Sequence, residues 1–307
     1  MNSRAWALVC AWIVAIIYGV TFTIAKDVMP KYIDAFGFIV LRVGGATLLF
    51  WLFSFLGPKE KIAKKDFLRI AVCAFFGVAF NMLTFFKGLS YTSPIMGAVL
   101  MVTTPMIVLI LSSILMKEKM KSKKVLGILL GLAGTVTLIL YGKALSNASN
   151  ATLGNLLVFV NAVSYGFYLI FVKKLMDRYN AFTFVKYIYL FGFFMVLPFG
   201  FNELKVVNWN EIPLEIGLKI GFVVVFSTFL TYLLNLVSMR NLKPTTVAVF
   251  IYLQPFFATV FAIYLEKDNL NMVKIVSALL IFVGVYLVIM KESNKKNQVK
   301  SINSSEN

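Results

Sequence analysis

Few side chains inside the apolar stretches of this sequence could bind or react, and several of them recur in pairs. Gln254 stands immediately before Pro255, and Thr104 immediately before Pro105, each in the middle of an apolar run. Tyr18 and Tyr165 form a second matched pair, each followed by glycine. Around them the sequence offers the amides of Asn81, Asn161 and Asn235, the rings of Trp12 and Tyr252, and one arginine, Arg42. Histidine is absent, and no apolar stretch holds Asp or Glu in its interior. The commonest acid–base group and the commonest metal ligand are therefore missing. Cys10 and Cys73 lie in apolar runs, where cysteine acts as a small hydrophobe. No catalytic group, metal or cofactor is expected. The chemistry on offer is non-covalent recognition of a solute by amides, hydroxyls, aromatic faces and one guanidinium.

Each candidate also has a plainer reading. A mid-helix proline strips the donor from the carbonyl four residues earlier, here Met101 and Ile251, and kinks the helix. In hydrocarbon such a carbonyl must be satisfied or line a cavity. Pro105 and Pro255 are thus read as hinges, against passive packing kinks. A buried amide such as Gln254 needs either a substrate or a neighbouring helix. The same two readings hold for Asn161, while Asn81 and Asn235, off the midplane toward opposite sides, also suit gates. Thr104 and the rings of Trp12, Tyr18, Tyr165 and Tyr252 divide between cavity lining and packing. Arg42 lies eight residues past Asp34, about 12 Å along a helix. A central arginine costs ~2.5–3.5 kcal/mol on insertion scales, so it faces a cavity or a partner. It serves either as an anchor for an anion or carboxylate, or as a donor to helix carbonyls.

The elements that hold these residues follow from composition. Of 307 residues, 60% are hydrophobic and 14% charged, against about 45–50% and about 25% in soluble domains. The apolar residues come in blocks long enough to cross a bilayer. The sequence predicts an all-α integral membrane protein with ten transmembrane helices, near 5–25, 34–56, 68–87, 94–116, 123–141, 153–173, 182–200, 215–238, 245–264 and 271–290. The glycine pairs Gly127/Gly131 and Gly217/Gly221 fit small-residue helix contacts. Residues 291–307, rich in Lys, Asn and Ser, read as a disordered cytoplasmic tail.

With the N-terminus in the cytoplasm, 20 Lys and Arg fall inside and six outside. This positive-inside bias places both termini in the cytoplasm and accounts for most of the +17 net charge without nucleic acid. The sequence also repeats. At an offset of 150, Pro94, Ala98, Pro105, Lys117, Lys124 and Gly134 fall on Pro244, Ala248, Pro255, Lys267, Lys274 and Gly284. At 147, Tyr18, Gly19 and Lys26 fall on Tyr165, Gly166 and Lys173. Five spans separate the copies, so residues 5–141 and 153–290 form two inverted five-helix repeats. Inverted repeats mark secondary transporters, with the substrate site near the midplane between the halves.

These features resemble the EamA family of the drug/metabolite transporter superfamily over residues 5–290. The resemblance rests on ten spans in two halves, the prolines of spans four and nine, Glu118 and Glu266 or Asp268 after them, and Arg42 in span two. It implies a multi-pass carrier in the cytoplasmic membrane, acting on amino acids, other metabolites or toxic organic compounds, by export. The expected partners are a small-molecule substrate and the bilayer, with the chain as a monomer. A channel or a membrane-embedded enzyme is the alternative. The enzyme would need a deep catalytic cluster that these spans do not offer. With carboxylates confined to span ends and loops, proton coupling is not expected. The orientation predicts that Ser122→Cys, in a chain with Cys10 and Cys73 replaced by alanine, stays unlabelled by impermeant maleimide in intact cells and reacts once cells are opened.

Overall fold

The structure, a computed structural model, describes residues 3–58, 60–116, 122–145, 150–241, 250 and 253–289. It is all-helical, with no strand among the described residues. The helices are α1 (Ser3–Val28), α2 (Ala35–Leu52), α3 (Phe67–Ala74), α4 (Phe80–Tyr91), α5 (Pro94–Met101), α6 (Thr104–Met116) and α7 (Ser122–Leu145). They continue with α8 (Ala151–Met176), α9 (Ala181–Lys205), α10 (Leu214–Val224), α11 (Thr231–Asn241), α12 (Gln254–Tyr264) and α13 (Met272–Ile289). Two π segments join consecutive helices into longer rods: Phe75–Ala79 links α3 to α4, and Val225–Leu230 links α10 to α11.

Six helices among the described residues are long and apolar enough to cross a membrane: Ala5–Val28, Ala35–Phe55, Lys64–Tyr91, Ala151–Met176, Phe182–Lys205 and Leu214–Asn235. They match expected spans one, two, three, six, seven and eight. Shorter apolar helices occupy Pro94–Val108, Val125–Thr137, Gln254–Tyr264 and Met272–Gly284, where the other four spans were expected. The tail from 291 onward lies outside the described residues.

Local sequence explains the helix starts. Ser93 accepts a bond from the Met96 amide at 3.3 Å, and Pro94 takes the first turn of α5, where no donor is needed. Asn180 caps α9 through the Phe182 amide at 3.0 Å. The expected breaks are also in place. Helix α5 stops at Met101 and α6 restarts at Thr104, one residue before Pro105, while α12 starts at Gln254, one residue before Pro255.

Helices pack through small residues, because apolar surface alone gives little drive to associate in lipid. Where α4 crosses α8, a Cβ added at Gly88 would lie 2.8 Å from the Gly154 carbonyl oxygen, and one at Gly154 equally close to that of Gly88. Where α11 crosses α1, the Ser238 hydroxyl donates to the Ala7 carbonyl at 3.1 Å. Helices α7 and α13 touch backbone to backbone, Gly284 against Gly127 and Gly131. The Gly127/Gly131 contact is thus as expected. The Gly217/Gly221 contact is not: a Cβ at either meets nothing within 4 Å. Their stretch of α10 carries Leu214 and Leu218, 80% and 66% exposed, and that face turns outward from the bundle.

These crossings predict opposite responses to one added methyl group. Gly154→Ala pushes the Cβ into backbone and should destabilise the protein by about 1–3 kcal/mol. Gly217→Ala meets open space and should gain up to about 1 kcal/mol of helix propensity. Thermal unfolding of both variants in one neutral detergent checks the pair.

Candidate functional site

Inside the bundle, α1, α9 and α11 bring three tyrosines around one arginine of α2, and α8 adds two more beside them. Arg42, on α2, is 5% exposed. Its Nε donates to Thr228 Oγ1 at 2.5 Å and its Nη2 to the Ser227 carbonyl at 3.2 Å. The guanidinium lies 4.7 Å from the Phe86 ring centroid. Thr228 sits in the π segment, its hydroxyl donating in turn to the Val223 carbonyl at 2.8 Å. Arg42 therefore has helix partners, and among the described residues no carboxylate pairs with it.

Tyr18, Tyr189 and Tyr232 lie within electrostatic reach of Arg42. Tyr165 interacts with Tyr18 and Tyr232, and Tyr168 with both of these and with Tyr165. The Tyr18 hydroxyl reaches Thr231 and Asn235, which draws Asn235 to the same cluster. The Tyr189 ring is fully buried, 4.8 Å from Phe50 and 5.0 Å from Tyr232. Its hydroxyl is near Tyr232 but makes no hydrogen bond of standard geometry. Of the expected residues, the structure thus unites Arg42, Tyr18, Tyr165 and Asn235. Tyr189, Thr228 and Ser227 were missed, although a signal for Tyr189 exists. It stands 147 residues after Arg42, the offset that relates Tyr18 to Tyr165.

Other candidates serve contacts between helices or at breaks. Asn81 Nδ2 donates to the Asn161 carbonyl at 3.3 Å, and Asn161 Nδ2 to the Asn81 carbonyl at 2.8 Å. This reciprocal pair ties α4 to α8 and leaves Asn161 Oδ1 buried without a partner. Thr104 is buried, and its hydroxyl donates to the Met101 carbonyl at 2.7 Å, the group that Pro105 deprives of its donor. Pro105 continues α6, and its side chain lies outside the described residues, whereas Pro255 is buried. Gln254 is half-buried, with no hydrogen-bond partner among the described residues. Trp12, 47% exposed, rests edge-on against Phe250 and Phe257. Tyr252 lies outside the described residues.

Ion pairs close the helix ends. At the end holding the α1–α2 turn, Asp27 accepts from Lys219 at 2.6 Å and Lys267 at 2.7 Å. Asp268, 8% exposed at its side chain, accepts from Lys274 at 2.5 Å and from the Ile95 amide at 3.2 Å. Span four is thereby tied to the turn between spans nine and ten. At the opposite end Asp66 accepts from the Tyr179 hydroxyl at 2.8 Å and from Arg178 at 3.2 Å.

Comparison with known proteins agrees with this architecture. The model of the EamA-like transporter family matches twice, over residues 5–140 and 152–290. Among curated relatives, uncharacterized transporter YyaM of Bacillus subtilis is 26% identical over 88% of this chain and 89% of its own length. An uncharacterized transporter of Archaeoglobus fulgidus is 24% identical over 95% and 99%. YetK of B. subtilis, also named an uncharacterized transporter, is 24% identical over 81% and 76%. A crystal structure shares the fold over 93% of this chain and 98% of its own, with a TM-score of 0.62 at 15% identity. The chain is a multi-pass membrane protein that belongs to the EamA-like transporter family.

Proposed function

We propose that this chain carries a small organic solute across the cytoplasmic membrane by alternating access. The site lies between two inverted five-helix repeats, residues 5–141 and 153–290, at the level of Arg42, Tyr18 and Tyr165. One observation carries this reading: the largest contacts between helices map onto one another when the halves are exchanged. The α2–α9 pair (spans two and seven) and the α7–α13 pair (five and ten) are each their own image. The α4–α8 contact is the image of α11–α1, and α6–α8 of α12–α1. Individual residues follow. Gly88 against Gly154 corresponds to Ser238 against Ala7, and Gly19 against Phe257 corresponds to Gly166 against Ile107. The π segments begin at Phe75 and Val225, again 150 apart.

Such symmetry gives a chain two related packings, with either end of a shared cavity closed. The ion pairs of Asp27 and Asp268 would hold one end shut. The breaks before Pro105 and Pro255 are the hinges about which spans four and nine bend. Gln254 and Thr104, at these breaks, line the transport path, and Tyr252, outside the described residues, is assigned to it from its place in the sequence. Asn161 and Asn81 line it from the α4–α8 contact, and Trp12 from α1. Both termini face the cytoplasm, the chain acts as a monomer, and the direction is export, as in the family it resembles. The cargo is a metabolite, of which amino acids and toxic organics are the family-level candidates.

Two measurements on reconstituted liposomes test this reading. Transport should saturate with solute concentration and return the solute unmodified, where a channel would not saturate and an enzyme would alter it. Gln254→Leu keeps volume and removes the amide. It should slow transport about fivefold, the worth of one hydrogen bond, with expression and melting temperature unchanged. Equal rates would assign Gln254 to packing. A pH gradient alone should drive no uphill accumulation of a solute of constant charge, because the described carboxylates lie at helix ends and in loops, with Asp27, Asp66 and Asp268 held there in ion pairs. Accumulation that collapses with a protonophore would establish coupling.

A further inference from the structure

We propose that the central site selects organic anions, specifically a carboxylate on an apolar or aromatic body, over amines and zwitterions. This rests on the transport reading above and narrows it to one class of cargo. A guanidinium stays charged at any pH the protein meets. Arg42 is 5% exposed in the middle of the bundle, so its charge is neither hydrated nor shared with a bulk counter-ion. The groups that face it are neutral: Thr228, the Ser227 carbonyl, the Phe86 ring, and Tyr18, Tyr189 and Tyr232.

The hydrogen bonds at the site are unbalanced in the same direction. Arg42 uses Nε and Nη2, and its Nη1 has no partner among the described residues. The Tyr189 hydroxyl and Ser227 Oγ are fully buried and equally without partners. Three groups able to donate therefore lie in one small region around a positive charge. A carboxylate accepts several bonds at once and neutralises the guanidinium, and such charge-assisted bonds are the strong ones. An ammonium group would meet like charge, and none of the described groups that face Arg42 is a carboxylate. The rings beside Arg42 supply the walls for the apolar body.

Those rings also connect occupancy to movement. Phe50 on α2, Tyr189 on α9, Tyr232 on α11 and Phe229 of the π segment pack at 4.8–6.4 Å between centroids. A bound carboxylate competes with Thr228 and Ser227 for Arg42. Taking that place releases the π segment of span eight and parts the rings.

The test uses one carbon skeleton in four charge states: 3-phenylpropionate, 3-phenylpropionamide, 3-phenylpropylamine and phenylalanine. Each is added at millimolar concentration to the purified protein in neutral detergent, and thermal stabilisation and equilibrium dialysis are read. The anion should bind at least tenfold more tightly than the amide, amine or zwitterion. Arg42→Gln should weaken anion binding about tenfold to a hundredfold, and Arg42→Lys should retain part of it. The ligand series on the unaltered protein decides the matter even if Arg42→Gln fails to fold. Equal or tighter binding of the amine or amide, or no binding of the anion, would overturn the assignment. Saturable flux of a cationic or neutral solute in liposomes, with no anion binding, would overturn it while leaving the transport reading intact. Absence of any saturable flux, with the anion still bound, would overturn the transport reading instead.

Discussion

In hydrocarbon no water is at hand to satisfy a backbone carbonyl, and the rest of this structure depends on meeting that requirement internally. Regular helix does so by itself. At three departures from α geometry a side chain takes over. Thr103 and Thr104 bond back to the Leu100 and Met101 carbonyls at the break before Pro105. In the first π segment, Ser164 of α8 donates to the Phe76 carbonyl at 2.7 Å. In the second, Arg42 of α2 and Thr231 both donate to the Ser227 carbonyl. These polar residues stand at irregularities, where helices can bend or lend a carbonyl to a partner.

This explains which parts of the molecule were legible in the sequence. Proline spacing located both helix breaks, because a missing donor is a local property. The Tyr18/Tyr165 pair and Arg42 were visible as costly residues in apolar runs, and the structure brings them together. The π segments left no trace in hydrophobic periodicity, since an extra residue per turn does not change which residues are apolar. Tyr189 was hidden among 30 Phe and 13 Tyr, although its offset from Arg42 matched the repeat. Gly217 and Gly221 misled because spacing alone does not say which face of a helix meets a neighbour. A further repeat also went unused. Met29, Lys31 and Tyr32 have Met176, Arg178 and Tyr179 at the same offset of 147, so the turn after span one and the turn after span six share a sequence.

The two ends of the bundle are alike in fold and unlike in charge. The positions that correspond to Asp27, Lys219 and Lys267 in the exchanged halves are Lys174, Arg69 and Lys117. The carboxylate that gathers two lysines at one end is replaced by a lysine at the other. The Asp27 latch therefore has no copy at the corresponding positions of the exchanged halves. On the alternating-access reading, repeat symmetry would set the shape of the two packings, and this charge placement would make them unequal in energy.

The paired π segments bear on descent. A π turn is what a single inserted residue produces in an α-helix that cannot shift its ends, because packing on both sides holds the flanking turns in register. Phe75–Ala79 and Val225–Leu230 begin at corresponding positions in the two halves. On the repeat reading, one insertion in a single ancestral five-helix unit accounts for both. The irregularity is then older than the fusion of the halves, and has outlasted nearly all of the sequence identity between them.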